Sequence, residues 1–326
     1  MSDFSPDMKN LDIDPIPVDC DLSYNTNIEV LKFTAQIIYI ITGIFLNSAV
    51  LGTILWRCRE VYSTNSFFTL FSVDCIANIS ILITEGLFAR FFIYFTPICP
   101  VLADYFQSPL VGFKIIMLLT HHVSICKSLL QVLLVLNRMT CVLFPITHDS
   151  IWRKSLKYVI SAVFLIPFCA DWNIAISRVY MQSTYGGFWV SYFKKVSWAS
   201  QSRFQLVFII IALSFTFICT AITLLKLPER SKEIEKAISN ATVIISIGFT
   251  FKVLFQIYYS FFFSYTDASS PVYGFSFLAL DFLTVGSPIV MICVSRNLRT
   301  HIFKSKRKNQ TLSKMLTRTS GMVIAR

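Results

Sequence analysis

Seven stretches of this chain are each long and apolar enough to cross a lipid bilayer, and this limits the fold more than any other feature. They run Phe33–Leu55, Phe67–Phe88, Val111–Leu136, Tyr158–Arg178, Phe204–Leu225, Ile238–Phe263 and Tyr273–Val294. A crossing helix needs about 20 mostly apolar residues. In hydrocarbon every backbone polar group must be satisfied internally, so the expected architecture is an all-α membrane protein, a seven-helix transmembrane bundle. Composition agrees. Of 326 residues, 55% are hydrophobic and only 14% charged, where a soluble domain carries about 25% charged. A disordered chain and an ordinary soluble enzyme are excluded. Nine scattered cysteines do not make a disulfide scaffold.

Several spans carry polar residues that a lone helix could not tolerate. Lys114, His121, His122 and Lys127 interrupt the third, Pro167 and Asp171 the fourth, and Lys252 the sixth. Their spacing is ordered. Gln36, Gly43 and Asn47 fall on one face of the first helix. Asp74, Asn78 and Glu85 share a face of the second, as do Lys114, His121 and Ser128 of the third and Asp281, Thr284 and Pro288 of the seventh. These intervals repeat with the helical period. Ionisable groups facing lipid cost several kcal/mol, so each stripe is expected to look inward. Asn47, Asp74, Asn78, Asp281 and Pro288 are read as a polar switch network. The plainer reading is structural hydrogen bonding between helices, at about 1 kcal/mol per bond.

Charge sets the orientation. The formal net charge is +11. The basic residues concentrate in the first, third and fifth inter-helix loops and in the tail after Arg296, which holds no acid. Lys9, Lys32, Arg90, Arg178, Lys194, Lys195 and Arg203 are the smaller set on the other side. This bias places the N-terminus outside. The first 32 residues are acidic and lack an apolar core, so they read as an extracellular tail rather than a cleaved signal, with the first span as an uncleaved signal anchor. The division is an N-tail at 1–32, a bundle at 33–295 and a basic cytoplasmic tail at 296–326. Such a tail suits anionic inner-leaflet lipid, and nucleic acid is not expected as a partner.

Chemical motifs are sparse. Phosphate-loop, zinc-protease and serine-hydrolase patterns are absent, so neither an enzyme nor a cofactor is expected. Tandem His121-His122 point about 100° apart on a helix and do not chelate one metal ion readily.

Local motifs add a resemblance. Asn47 with Val50 on the first helix, Leu70 with Asp74 on the second, Asn137-Arg138-Met139 ending the third and Ser287-Pro288 on the seventh resemble the signatures of G-protein-coupled receptors. More specifically, Leu136-Asn137-Arg138-Met139-Thr140-Cys141-Val142-Leu143-Phe144-Pro145, followed by Ile151-Trp152, with Cys99-Pro100 before the third helix, is similar to the nematode serpentine receptors of class gamma, the Srg family. The resemblance spans about Phe33 to Phe303. It implies a chemosensory receptor that detects a small environmental or pheromone-like molecule and signals through heterotrimeric G proteins from the plasma or ciliary membrane of a sensory neuron. Asn137, Arg138 and Pro145 are then the coupling residues.

There are departures. Asn137 stands where the receptor pattern has an acid, Met291 where it has a tyrosine, and the sixth span lacks the Trp-x-Pro kink. The second outer loop, about Arg178–Arg203, holds no cysteine, so the usual disulfide from that loop has no partner there. Cys20 and Cys99 are placed clearly outside and are expected to pair, with two free thiols as the alternative. In this reading a small, apolar ligand enters the outer half of the bundle. Its walls are drawn from Phe88, Phe113, Tyr258, Tyr259, Phe262 and Tyr273, with Lys114 and His121 toward a carboxylate or hydroxyl and Glu85 toward an amine. The alternatives from other classes are a ligand-gated ion channel subunit and a small-solute transporter. The oligomeric state is left open.

Overall fold

A computed structural model describes residues 15–18, 20–21, 23–108, 110–184, 186–196, 198–226, 233–261 and 272–303, with the backbone alone for 233–239, 241–242, 259–260 and 272–276. The first rod is α1 (Thr26–Gly52), which widens into a π-helical turn, Thr53–Arg57. The Asn25 side chain caps its start by accepting from the Asn27 amide at 3.0 Å. A short α2 (Arg59–Tyr62) leads to the second rod, made of α3 (Ser66–Ile81), a π-helical segment Leu82–Ala89 and α4 (Arg90–Tyr94). Asn65 caps α3 in the same way, through the Phe67 amide at 3.0 Å. A 3₁₀ turn and α5 (Cys99–Phe106) precede the third rod, α6 (Val111–Leu143). The fourth is α7 (His148–Leu165) plus α8 (Phe168–Ile176), the fifth α9 (Gln201–Lys226) and the sixth α10 (Glu233–Phe261). The seventh is α11 (Val272–Thr284) plus α12 (Gly286–Val294), followed by α13 (Arg296–Phe303). Six of these rods are apolar over a full membrane-crossing length, and the sixth holds a shorter apolar stretch, Val243–Tyr258.

The rods bury their polar faces and expose apolar ones. Asn47, Asp74, Asn78, Ser128 and Asn137 are fully buried, while Phe45, Trp56, Phe217 and Leu225 are exposed. This inversion of the soluble pattern is what a hydrocarbon surround selects, because lipid tails offer no hydrogen bonds.

Two prolines break the rods where the sequence marks them, and in both cases a side chain satisfies the freed carbonyl. Proline lacks an N–H and its ring displaces the carbonyl four residues back. For Pro288 that residue is Thr284, whose carbonyl accepts from Asn47 Nδ2 at 3.0 Å. For Pro167 it is Val163, whose carbonyl accepts from Cys126 Sγ at 3.3 Å.

Several boundaries differ from the sequence reading. The second rod continues to Tyr94 instead of stopping near Phe88, because its π-helical segment carries the helix on. Arg90 therefore lies inside the protein, completely buried, and is not a loop charge. The fourth rod begins at His148 and ends at Ile176, so Arg178 opens a strand. Between the fourth and fifth rods lies an unanticipated antiparallel hairpin, β1 (Arg178–Thr184) and β2 (Gly187–Phe193), in register Arg178↔Phe193 to Thr184↔Gly187. Gly186 takes φ +76 at its turn, a conformation glycine adopts without steric cost.

The hairpin closes one end of the bundle. Met181 and Phe188 pack with Val18, Cys99, Phe106 and Leu110. Cys20 and Cys99 form a disulfide with their Cα atoms 5.9 Å apart, tying the N-terminal segment into the same layer. The Ile16 amide donates to the Gln107 carbonyl at 3.0 Å. The Tyr192 hydroxyl accepts from the Gln201 amide at 2.7 Å, and burial raises its pKa above the ordinary phenol value. At the opposite end α13 docks on the first rods: Arg57 Nη1 donates to the Ile302 carbonyl at 3.0 Å and Tyr62 Oη bonds His301 Nδ1 at 2.8 Å.

A Cβ on Gly187 would strike the backbone carbonyls of Phe92 and Ile93, whereas one on Gly112 would meet nothing. Gly187→Val is expected to lift the hairpin from the second rod and destabilise the purified protein by about 1–3 kcal/mol. Gly112→Ala is expected to leave its thermal unfolding almost unchanged.

Candidate functional site: charged groups inside the bundle

The deepest cluster is built on Asp74. Its two carboxylate oxygens accept from Lys127 Nζ at 2.6 and 2.7 Å, and both side chains are essentially inaccessible. Asn78 Nδ2 donates to Asp74 Oδ2 at 3.3 Å and to Asn47 Oδ1 at 3.1 Å. Asn47 Nδ2 in turn donates to the Gly43 carbonyl at 2.9 Å as well as to Thr284. One aspartate thereby connects the first, second, third and seventh rods. Pro288 is buried just beyond Thr284. Lys127 was noted in the sequence only as an interruption of a span. A lysine that meets a carboxylate across the bundle has no signature along the chain.

Asp281, grouped above with Asn47 and Asp74, anchors a second cluster. It binds Arg90 through two bonds, Nη2 to Oδ1 at 2.7 Å and Nη1 to Oδ2 at 2.9 Å. Tyr39 Oη donates to Asp281 Oδ2 at 2.6 Å, and Arg90 Nη1 also reaches Tyr39 Oη at 2.9 Å and Gln36 Oε1 at 3.2 Å. The guanidinium stands over the Phe277 ring at 4.6 Å. This cluster joins the first, second and seventh rods nearer the hairpin.

The tandem histidines diverge. His122 Nδ1 bonds Asp171 Oδ2 at 2.6 Å, tying the third rod to the fourth. His121 points to a different side of the helix, within electrostatic reach of Lys252. Glu85 is likewise within reach of Lys252, and of Arg90 and Asp281. Lys252 Nζ donates to Ser124 Oγ at 3.0 Å, and the same oxygen accepts from Gln205 Nε2 at 2.9 Å. Glu85 and His121 are half-buried on the second and third rods. The second, third, fifth and sixth rods thus meet around Glu85, His121, Ser124, Gln205 and Lys252.

Of the other residues singled out in the sequence, Phe88 and Phe113 are brought together, with ring centroids 5.3 Å apart. They belong to an aromatic layer that includes Phe92 and Phe106 under the hairpin. Tyr258 is half-buried on α10. Lys114 is half-buried on the third rod and forms no ion pair among the described residues. Phe262 and the side chains of Tyr259 and Tyr273 lie outside the described residues.

At the far end of the third rod, Asn137 and Arg138 are buried. Asn137 Nδ2 donates to Ser66 Oγ at 2.7 Å, while its Oδ1 accepts from Arg138 Nη2 at 3.1 Å. The Arg138 guanidinium lies over the Phe67 ring at 4.0 Å, within cation–π range. The amide and the ring take the place of the acid missing at position 137. Pro145 is exposed in the following turn. Trp152 Nε1 bonds Thr140 Oγ1 at 2.9 Å, holding that turn against the rod.

A multi-pass bundle of apolar-faced helices with paired charges in its interior, an arginine at the end of the third helix and a covered mouth at the other end is the build of a seven-helix membrane receptor. The chain matches the family model described as "Srg family chemoreceptor" over residues 33–302. It is 46% identical to serpentine receptor class gamma-11 of Caenorhabditis elegans across 99% of this chain and 98% of that protein. Serpentine receptor class gamma-5 of the same organism is 38% identical, covering 88% and 90%, and class gamma-15 is 36% identical, covering 93% and 96%. The chain belongs to the Srg family, a family of receptors rather than enzymes, and is a multi-pass membrane protein with a seven-transmembrane, G-protein-coupled-receptor-like bundle.

Removing one member of a buried ion pair leaves the other uncompensated, at a cost of about 3–5 kcal/mol. Lys127→Met alone should therefore collapse the detergent half-life and surface level of the receptor. Lys127→Met combined with Asp74→Asn should recover most of both, and measurement of the single and double variants side by side checks this.

Proposed function

We propose that this receptor binds a small organic molecule in the hairpin-facing half of its bundle and passes the event to a heterotrimeric G protein at the opposite end. The observation that carries this reading is the group Glu85, His121 and Lys252 inside the membrane-spanning region, where, among the described residues, Glu85 has no ion-pair partner and Lys252 bonds only the Ser124 hydroxyl. Ionisable residues so placed mark ligand or ion pathways. Phe88 and Phe113 lie between this group and the hairpin, and Tyr258 stands on the sixth rod; Tyr259, Phe262 and Tyr273 are assigned to the same wall from the sequence alone. Lys114 stands nearer the start of the third rod.

A ligand acts only through its difference in affinity between two states. The polar clusters provide the two-state element: Asn47, Asp74, Asn78, Asp281 and Pro288 link the seventh rod, which Pro288 breaks near its middle, to the first and second. Arg138 leaves Phe67 and Asn137 in the signalling state and meets the Gα subunit, with Pro145 on the same face. The N-tail, 1–32, whose last residues from Thr26 are the first turns of α1, faces outside, and 296–326 faces the cytosol, where its basic charge suits anionic lipid. The membrane is that of a sensory neuron.

The test has two arms. A glycosylation acceptor placed in the N-tail should be modified while a C-terminal tag stays protected in intact cells; an unmodified N-tail with an exposed C-terminus rejects the orientation. In cells supplied with a Gα subunit, Arg138→Ala should lose agonist-evoked nucleotide exchange at least about tenfold while the protein still reaches the surface. An agonist-evoked ion current that needs no G protein would instead support the channel reading.

A further inference from the structure

We infer that the natural ligand of this site is a small zwitterion, an amino carboxylic acid whose carboxylate is received by Lys252 and whose ammonium is received by Glu85. The inference rests on the ligand-binding reading above and names its chemistry.

Lys252 is 8% exposed, so it is almost wholly withdrawn from solvent. An ammonium has three donors, and the structure gives Lys252 one bond, to Ser124 Oγ. No carboxylate stands within ion-pair distance of it among the described residues, where the ion pairs are Lys32–Glu29, Arg90–Asp281, His122–Asp171 and Lys127–Asp74. Glu85 appears in none of them. Every other membrane-embedded carboxylate that the structure describes, Asp74, Asp171 and Asp281, has a cationic or imidazole partner in contact. Glu85 and Lys252 are therefore two opposite charges within electrostatic reach of each other that form no ion pair among the described residues.

Their surroundings decide what fits between them. Asp74 is answered by Lys127, and Asp281 by Arg90. Glu85 and Lys252 balance each other in charge, so the site as a whole is neutral. A lone carboxylate entering it would satisfy Lys252 but repel Glu85, and a lone amine would do the reverse. A molecule carrying both groups adds no net charge and gives each buried residue a charge-assisted bond, the stronger kind of hydrogen bond in a water-poor site. Ser124 and Gln205 already lie beside Lys252 and help to receive a carboxylate. His121 offers a further polar atom on the same wall. Phe88 and Phe113 suit an apolar side group at the hairpin end.

The experiment uses the full-length receptor in lipid nanodiscs and reads its thermal stabilisation by added compounds, with no G protein present. The probes are glycine, β-alanine, 4-aminobutanoate, 5-aminopentanoate, leucine and phenylalanine. Each is compared with its methyl ester, which keeps only the amine, and its N-acetyl derivative, which keeps only the carboxylate. At least one free amino acid should stabilise the receptor, and both of its derivatives should be weaker by about tenfold to a hundredfold, the usual worth of one charged hydrogen bond. Lys252→Met should erase the advantage of the free acid over its ester, and Glu85→Gln that over the N-acetyl form. The exchange Glu85→Lys with Lys252→Glu should bind the same zwitterion again, which guards against single variants that simply fold poorly.

Stabilisation by simple carboxylic acids or alcohols, equal to or stronger than that by the zwitterions, overturns the zwitterion assignment and leaves the ligand-binding reading standing. Zwitterion binding that ignores both substitutions overturns the assignment to Lys252 and Glu85. If no compound stabilises the receptor, the inference is overturned, while G-protein coupling, which this assay does not touch, is still judged by the Arg138→Ala experiment.

Discussion

The contact between Asp74 and Lys127 is the interaction on which the rest of the bundle depends. Two full charges lie at 2.6 Å with almost no exposed surface. In a medium without water, neither could remain charged alone. Their attraction holds the second rod to the third, and the amides of Asn78 and Asn47 extend the link to the first and seventh. Lipid tails are as apolar as leucine, so helices in a bilayer are not driven together by the hydrophobic effect. Packing and interhelical polar bonds do that work.

The same logic recurs at two other levels. Arg90 and Asp281 close the first, second and seventh rods near the hairpin, and His122 and Asp171 close the third against the fourth. The carbonyls freed by Pro167 and Pro288 are answered by side chains of neighbouring rods. Each break in a helix is thus also a joint between helices. Against this background of close partners, Glu85 and Lys252 form no ion pair among the described residues, and such a break in a local rule is expected at functional sites.

Many of these parts were legible along the chain. The apolar runs announced the rods, and the helical period put Asn47, Asp74, Asn78 and Asp281 on inward faces. Pro167 and Pro288 marked breaks that the rods do show. Cys20 and Cys99 stood out because the hairpin loop has no cysteine, and they are bonded. Other parts were hidden. Arg90 looked like a loop charge because the apolar run ends just before it; in the structure the π-helical segment Leu82–Ala89 and α4 carry the rod past that point. The hairpin was unreadable because its strands, rich in aromatic residues, lie beside a span of similar composition. Lys252 was seen, but only as a blemish in the sixth span.

The sequence alone therefore determined the number of spans, the inward polar faces, the helix breaks and, through its motifs, the Srg family. These are properties of chain neighbours at fixed helical spacing. The tertiary structure alone decided which charge meets which: Asp74 with Lys127, Asp281 with Arg90, Asp171 with His122, and Glu85 and Lys252 in no ion pair among the described residues. The partners in these pairs come from different rods, distant along the chain. The energy of such a pair depends on distance through space in a low-dielectric interior, and that distance exists only once the rods have packed.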